Sequence, residues 1–233
     1  MDGGKMKVYW ATPCYGLGVG SDIYHNHLGM VMVAACKHGI KFGGCSVTKN
    51  QLIWAARNNL VESVLGDPDV KDDDFIFWVD SDVLLEPDIL PRLLDSGKDK
   101  DIITGIYYQK APPYWPLIML KLPFEKREGM HQFLYDYPKG NYRVDAIGFG
   151  CVLVRVSVFK KIEKPWFDWT VESGEDIYFC VQAKKHNIEI WTDTNAVVGH
   201  VGEPVVITEE TFKIHREKNM DKVSDNTFLI KEK

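Results

Sequence analysis

Phe75-Ile76-Phe77-Trp78-Val79-Asp80-Ser81-Asp82 is the stretch whose reading decides the fold. Five successive apolar residues are the pattern of a strand buried on both faces, as found in a parallel sheet covered by helices on each side. The expectation is a strand over residues 74–82 that leaves the core and ends in two carboxylates. Residues two apart on a strand point the same way, so Asp80 and Asp82 should emerge together at the carboxyl edge of the sheet, where open α/β sheets bind ligands.

Working outward, the text alternates. Residues 7–13 are β-rich and stop at a Pro/Gly turn, and residues 22–38 carry a mixed apolar face suited to a helix. Residues 42–48 read as a second strand. Leu52, Ala55, Ala56, Leu60 and Val64 then recur at helical spacing over residues 51–65, ahead of Gly66 and Pro68. Beyond the central strand come a short helix (87–94) and a strand (101–108). The alternation breaks at the proline-rich residues 111–116, and the aromatic residues 131–137 read as a hairpin or excursion. A Gly-rich strand (147–155), a helical turn (157–162), an amphipathic helix (174–186) and two short strands (188–192 and 196–200) complete the sheet. A charged helix over residues 208–218 opens with a capping box at Thr208 and Thr211, and the last fifteen or so residues read as loosely held. The fold class is α/β, with a mixed, mainly parallel sheet flanked by helices and an irregular region after residue 110.

Composition bounds the function. The chain has 233 residues, 45% of them hydrophobic and 12% aromatic, enough to bury roughly 70–75% of the unfolded surface in one folded domain. Against 33 acidic residues stand 28 basic ones, a net charge of −5. No Lys/Arg block supplies the stripe that nucleic acid requires, so no nucleic-acid partner is expected. The apolar run near residues 29–36 falls short of the ~20 residues that span a bilayer, and residues 1–7 are polar and Gly-rich, so neither a signal peptide nor an integral membrane segment is expected. Cys14, Cys36, Cys45, Cys151 and Cys180 are odd in number and lack C-x-x-C spacing. They read as reduced thiols in a cytoplasmic protein.

Two adjacent carboxylates invite a hard cation. Mg²⁺ or Mn²⁺ takes one or two protein carboxylates and completes its shell with water and substrate phosphate, so Asp80 and Asp82 point to a phosphate-bearing substrate. The competing reading of the triplet is a solvated loop capping the next helix; the buried run before it and its place at the sheet edge favour the site. Gly174-Glu175-Asp176 opens a helix, where free N–H groups and the dipole stabilise ionised carboxylates and a base would be well placed. The same residues could serve the dipole alone. His200, beside Gly199 at a strand end, is a further metal candidate, although a lone histidine is more often structural.

Ala11-Thr12-Pro13-Cys14-Tyr15-Gly16, Ala56-Arg57-Asn58, Phe77 to Asp82, Gly174 to Cys180 and Gly199-His200 occur in the order of a GT-A glycosyltransferase. Over about residues 7–202 the chain resembles a family-2-type nucleotide-sugar transferase, similar to viral and bacterial examples, while residues 107–142 resemble nothing usable. The resemblance implies a single Rossmann-like GT-A domain over residues 1–233: a nucleotide-sugar half (about 7–110), an acceptor-side half (111–202) and a C-terminal helix and tail (203–233). It implies that Thr12, Pro13 and Arg57 line the nucleotide pocket, and that Asp80, followed by Ser81 in the same binding triplet, faces the ribose or donor sugar. Asp82 and His200 would hold Mn²⁺ or Mg²⁺ on the diphosphate. Asp176 would be the base of an inverting transfer, with Glu175 orienting the acceptor. The donor would be a nucleoside-diphosphate sugar, a UDP-sugar being favoured, and the acceptor a glycan or another hydroxyl. Few basic residues beyond Lys110, Lys121 and Arg143 offer themselves to a diphosphate, so metal dependence should be strong. Trp115, Trp166, Trp169 and Trp191 could stack on sugars or simply pack. Two rivals are a haloacid-dehalogenase-like phosphatase with Asp80 as nucleophile and a nucleotide-sugar-binding module without turnover.

Overall fold

A computed structural model of the protein describes residues 6–16, 19–121, 131–171, 173–202, 206–219 and 228–229. The chain begins with two β-α units, β1 (Lys7–Thr12), α1 (Ser21–His38), β2 (Lys41–Val47) and α2 (Ile53–Leu65), and then enters β3 (Phe75–Val79). All five residues of β3 are buried. Its side chains alternate between two cores, which is what a strand without a solvent face requires. Ile76 and Trp78 pack with α2 residues Leu60 and Val64, while Phe75, Phe77 and Val79 pack with Met30 and Ala34 of α1.

The main sheet has seven strands in the order β2-β1-β3-β10-β5-β11-β8, the later ones being β5 (Ile102–Ile106), β8 (Asn141–Val144), β10 (Cys151–Arg155) and β11 (Ile190–Val197). β1, β2, β3, β5 and β11 share one direction, and β10 and β8 run against them. This is the expected mixed, mainly parallel α/β sheet. Helices α1 and α3 (Ile89–Ser96) cover one face. Helices α2, α4 (Val156–Lys161) and α5 (Glu175–Lys185) cover the other, around an aromatic cluster of Trp78, Phe149, Phe159, Phe167 and Phe179. Strands β8, β10 and β11 lie in the same sheet as β1 to β3, and residues from both halves of the chain fill the cores on its two faces.

Two smaller sheets complete the molecule. One runs β13-β12-β4, formed by β4 (Val83–Leu84), β12 (Gly199–Val201) and β13 (Val206–Ile207). The other runs β14-β7-β6-β9 and contains the expected hairpin, β6 (Ile118–Lys121) with β7 (His131–Asp136), flanked by β9 (Ala146–Ile147) and β14 (Phe228–Leu229). Helix α6 (Glu209–Asn219) follows Thr208, and each of Thr208 and Thr211 accepts the other's backbone N–H through its Oγ1, both at 3.3 Å.

Four expected strands differ. The strand predicted over residues 74–82 stops at Val79. The one predicted over residues 147–155 is broken by Gly148-Phe149-Gly150 into β9 and β10, because Tyr107 fills the space: a Cβ on Gly148 would lie 2.2 Å from its hydroxyl, and one on Gly150 2.6 Å from its ring. The two predicted at 188–192 and 196–200 are instead β11, with a register shift between Thr192 and Val197, and β12 in another sheet. Residues 1–5 and most of the last fifteen lie outside the described residues, as do the readings made of them. Among the described residues no helix is long and apolar enough to cross a membrane, and none of the five cysteines is in a disulfide.

Gly105 tests the packing of this sheet. A Cβ there would lie 2.8 Å from the Ala196 carbonyl oxygen and 3.4 Å from Cys151 Sγ. Gly105→Ala should destabilise the protein by about 1–3 kcal/mol, the range for overpacked cores, as a lower urea midpoint with an unchanged slope.

Candidate active site

The polar residues after β3 form a turn. Asp80 N–H donates to Gly150 O (3.2 Å) and Val83 N–H to Asp80 O (3.2 Å), so Asp80 to Val83 reverse direction before β4. This corrects the expectation that both carboxylates leave one face of a strand. Asp80 Oδ1 accepts from Arg57 Nη2 at 3.0 Å, whereas Asp82 faces His200 and Lys110. Ser81 is half-buried between them.

Pairing of the small sheet brings Asp82 and His200 together. Val83 is opposite His200 in the β4–β12 register, and Val201 N–H donates to Asp82 O at 2.7 Å. His200 Nδ1 lies 2.6 Å from the Tyr108 carbonyl oxygen. A carbonyl only accepts, so Nδ1 carries a hydrogen and the ring turns Nε2 toward Asp82 Oδ1, 3.4 Å away. Lys110 Nζ bonds the other carboxylate oxygen, Oδ2. Burial raises the Asp82 pKa, but Lys110, and His200 when it carries its second proton, outweigh it and hold the group at about 2.

Asp82 Oδ1 is a buried acceptor without a hydrogen-bond donor. An orphaned carboxylate oxygen opposite a tautomerically fixed imidazole suits a divalent cation, and the mixed O/N donor set suits Mn²⁺ better than Mg²⁺. Among the described residues no group of three or more His, Cys, Asp or Glu side chains is placed to hold a metal. An ion here would therefore have two protein ligands and depend on water and substrate phosphate for the rest.

Glu175 and Asp176 are the first two residues of α5, whose N-cap, Gly174, contributes no side chain. Glu175 is buried and accepts from Arg57 Nε at 3.3 Å. Asp176 Oδ1 accepts from the Ile177 N–H at 2.7 Å. Burial, and then the neighbouring Glu175 charge, push its pKa up to about 6, against the Ile177 N–H and Arg57. The residue is half-buried. A carboxylate that is charged at neutral pH yet basic for its type is suited to removing a proton.

The residues assigned to the nucleotide pocket are more enclosed than the sequence implied. Thr12 is 1% exposed and its hydroxyl accepts from Trp10 Nε1 at 2.7 Å. Pro13 is buried, and exposure begins at Tyr15. Arg57, 2% exposed, is committed to Asp80 and Glu175. Trp166 is buried with its Nε1 donating to Phe159 O, and Trp115 packs on Phe133 and Tyr135, leaving Trp169, 62% exposed, as the open ring among those considered for stacking beside this site. Arg143 is paired with Glu189, so of the cations named for a diphosphate Lys110 is the one on Asp82.

Sequence reasoning missed a layer behind these groups. Tyr107 hydroxyl accepts from Gly150 N–H at 2.9 Å, and its ring meets His200 edge-on at 5.3 Å. His27 Nε2 bonds the Val83 carbonyl at 2.7 Å, and Asn26 holds both Leu85 N–H and C=O, so α1 fixes the strand after Asp82. Pairs of glycines around Phe149 were a signal for close approach, though not of what approaches; nothing in the helical text singled out Asn26 or His27.

No protein-family model matches the chain, and no curated protein matches it significantly. Among solved structures, A197 from STIV superposes with a TM-score of 0.57 at 17% identity, covering 97% of this chain and 99% of that one. A 4-diphosphocytidyl-2C-methyl-D-erythritol synthase (TM-score 0.46, 12% identity, 91% and 99% covered) and an apo UDP-glucose pyrophosphorylase (0.42, 10%, 93% and 82%) match more distantly. The chain shares its fold, nearly end to end, with A197.

Proposed function

We propose that the protein is a GT-A-type glycosyltransferase that moves a sugar from a nucleoside-diphosphate sugar, a UDP-sugar first, to a hydroxyl of a glycan or similar acceptor. What supports this reading is the Asp82–His200 pair with its unpaired oxygen together with a base-like Asp176, each of which interacts with Asp80. Asp82 and His200 are the residues that would hold Mn²⁺ or Mg²⁺, which when bound supplies charge stabilisation to a departing diphosphate. Lys110 adds a positive charge at the same place. Asp176 takes the proton of the acceptor hydroxyl while that oxygen bonds the anomeric carbon; the carbon–oxygen bond to the diphosphate breaks and its electron pair leaves with the diphosphate. One displacement from the opposite face inverts the anomeric centre. Asp80, oriented by Arg57, contributes its remaining acceptor capacity to the ribose or sugar hydroxyls. The phosphatase reading is disfavoured because Asp80 is ion-paired with Arg57 and follows the third strand of the chain.

A thermal-shift screen of nucleotide sugars tests the proposal: a true donor at a hundred times its Kd should stabilise the protein by about 2.7 kcal/mol, with Mn²⁺ and not without. In Asp82→Ala the Mn²⁺-dependent part of that stabilisation should vanish. Equal stabilisation by every nucleotide sugar with and without metal would reject the metal-diphosphate site.

Asp176→Asn should lower turnover ~10²–10⁴-fold while leaving donor affinity close to wild type; full turnover would remove Asp176 from the mechanism. The same change should stabilise the protein. The folded pKa of about 6 lies above the ordinary 3.8, so the native state holds the proton more tightly and loses stability as pH rises from about 4 to 6. At pH 7.5 Asp176→Asn should recover up to about 3 kcal/mol, and below pH 4 nothing. Chemical denaturation at the two pH values reads the difference.

A further inference from the structure

Arg57 is the strangest charge in the molecule. It lies 2% exposed on α2 and bonds Asp80 through Nη2 at 3.0 Å and Glu175 through Nε at 3.3 Å. These partners belong to the turn after β3 and the first residue of α5, 118 positions from Arg57 in sequence. Its guanidinium carbon stands 5.2 Å from the Phe149 ring, 5.7 Å from Trp78 and 5.9 Å from Phe167. Nη1 is buried without a hydrogen-bond partner. The side chain is thus held where two carboxylates pull it, not where all its donors would be met.

We propose that Arg57 is a positioning residue which, by bonding Asp80 and Glu175 at once, fixes the separation between the donor-side turn and the base-bearing N-terminus of α5. The role rests on the transferase reading for what the site does, but the clamp is a property of the free protein. A buried ion triad is a poor source of stability, since apolar side chains of similar volume often hold a fold as well or better. What they lack is direction. A planar guanidinium can span two carboxylates at fixed angles, which one ammonium cannot do. Asn58, the next residue, works alongside: its Oδ1 accepts from the N–H groups of Trp166 and Phe167 at 3.1 and 3.2 Å, and its Nδ2 donates to Phe167 O at 2.7 Å. Adjacent residues of α2 therefore fasten the segment leading toward α5 and the start of α5 itself.

The groups facing Asp176 make the clamp measurable. Glu175 on its own helix, Asp80 on the turn after β3 and the Tyr107 hydroxyl after β5 are acidic groups, and Arg57 on α2 is the cation among them. Cys180 on α5 is buried and neutral. Without Arg57, Asp176 faces anions and the Tyr107 phenol.

The experiment compares wild type, Arg57→Met and Arg57→Lys as full chains. Carboxyl ¹³C NMR of the ligand-free proteins should place the Asp176 titration about one pH unit higher in Arg57→Met. The acid limb of Mn²⁺-dependent UDP-glucose hydrolysis should move to higher pH by the same interval. In Arg57→Lys, turnover should fall ~10–100-fold with UDP–Mn²⁺ affinity within about threefold, as misplacement of reacting groups predicts. A folded Arg57→Met with an unmoved Asp176 titration overturns the proposal. If that variant does not fold, Arg57→Lys decides: amide exchange at Ile177 and Tyr178 should quicken about tenfold while the sheet is unchanged, and unchanged exchange there overturns the proposal. A wild type that turns over no nucleotide sugar defeats the transferase reading, while the ligand-free measurements still judge Arg57.

Discussion

The central constraint is that β3 has no face turned to water. Phe75 to Val79 are buried on both sides, so the first polar side chains after them appear abruptly, at the carboxyl end of β3 beside its parallel neighbour β1. A carboxylate there meets a fully buried strand on one side and solvent on the other. It must be partnered or desolvated at considerable expense. All three partners come from other parts of the chain: Arg57 from α2 for Asp80, His200 from β12 and Lys110 from the loop after β5 for Asp82.

Four carboxylates, Asp80, Asp82, Glu175 and Asp176, share this edge with Arg57, Lys110 and His200. The charges are not spread evenly. Arg57 serves Asp80 and Glu175, and Lys110 and His200 serve Asp82, which leaves Asp176 with a backbone N–H as its direct partner. That distribution drives two carboxyl groups apart: Asp82 is held at about 2 and Asp176 lifted to about 6. One group therefore stays anionic while the other exchanges a proton, the division of labour that acid–base chemistry needs. Of four buried side-chain polar atoms without partners among the described residues, three belong to Arg57, Trp78 and Asp82, which places the unmet hydrogen-bonding capacity around the site.

The alternation of strands and helices was legible because period and composition are local properties: β3, α2 and α5 follow from their own residues. The ends of strands were less so. Val79 ends β3 because the chain turns at once, Val83 N–H bonding Asp80 O, and because its partner strand β10 begins only at Cys151, a break seventy residues away that no window of local sequence contains. The same is true of the break at Gly148 to Gly150, imposed by Tyr107. In the site, acidic residues were visible by type and setting. Their partners were only partly so: Arg57 was noticed as a wall of the nucleotide pocket, but its bonds to Asp80 and Glu175, 23 and 118 positions away, were not. Asn26, His27 and Tyr107 act through backbone groups and ring edges, and the sequence pattern marks neither.

The architecture also explains why Asp176 and the Asp82–His200 pair can be arranged independently. Asp82 and His200 are joined by the short β4–β12 pairing, which α1 grips through Asn26 and His27 from one face of the main sheet. Glu175 and Asp176 ride on α5, which packs on the other face through Phe179, Cys180 and Ala183. Among the described residues no backbone ladder connects these two assemblies. What lies between them is the turn after β3, and the side chain reaching that turn from α2 also reaches α5. A fold that mounts Asp176 on one face of a sheet and the Asp82–His200 pair on the other needs a link across the sheet edge to hold them in register, and a guanidinium with two committed donors has the reach and the angular stiffness to provide it. The aromatic rings around Arg57 reinforce that stiffness from the sides where no carboxylate stands.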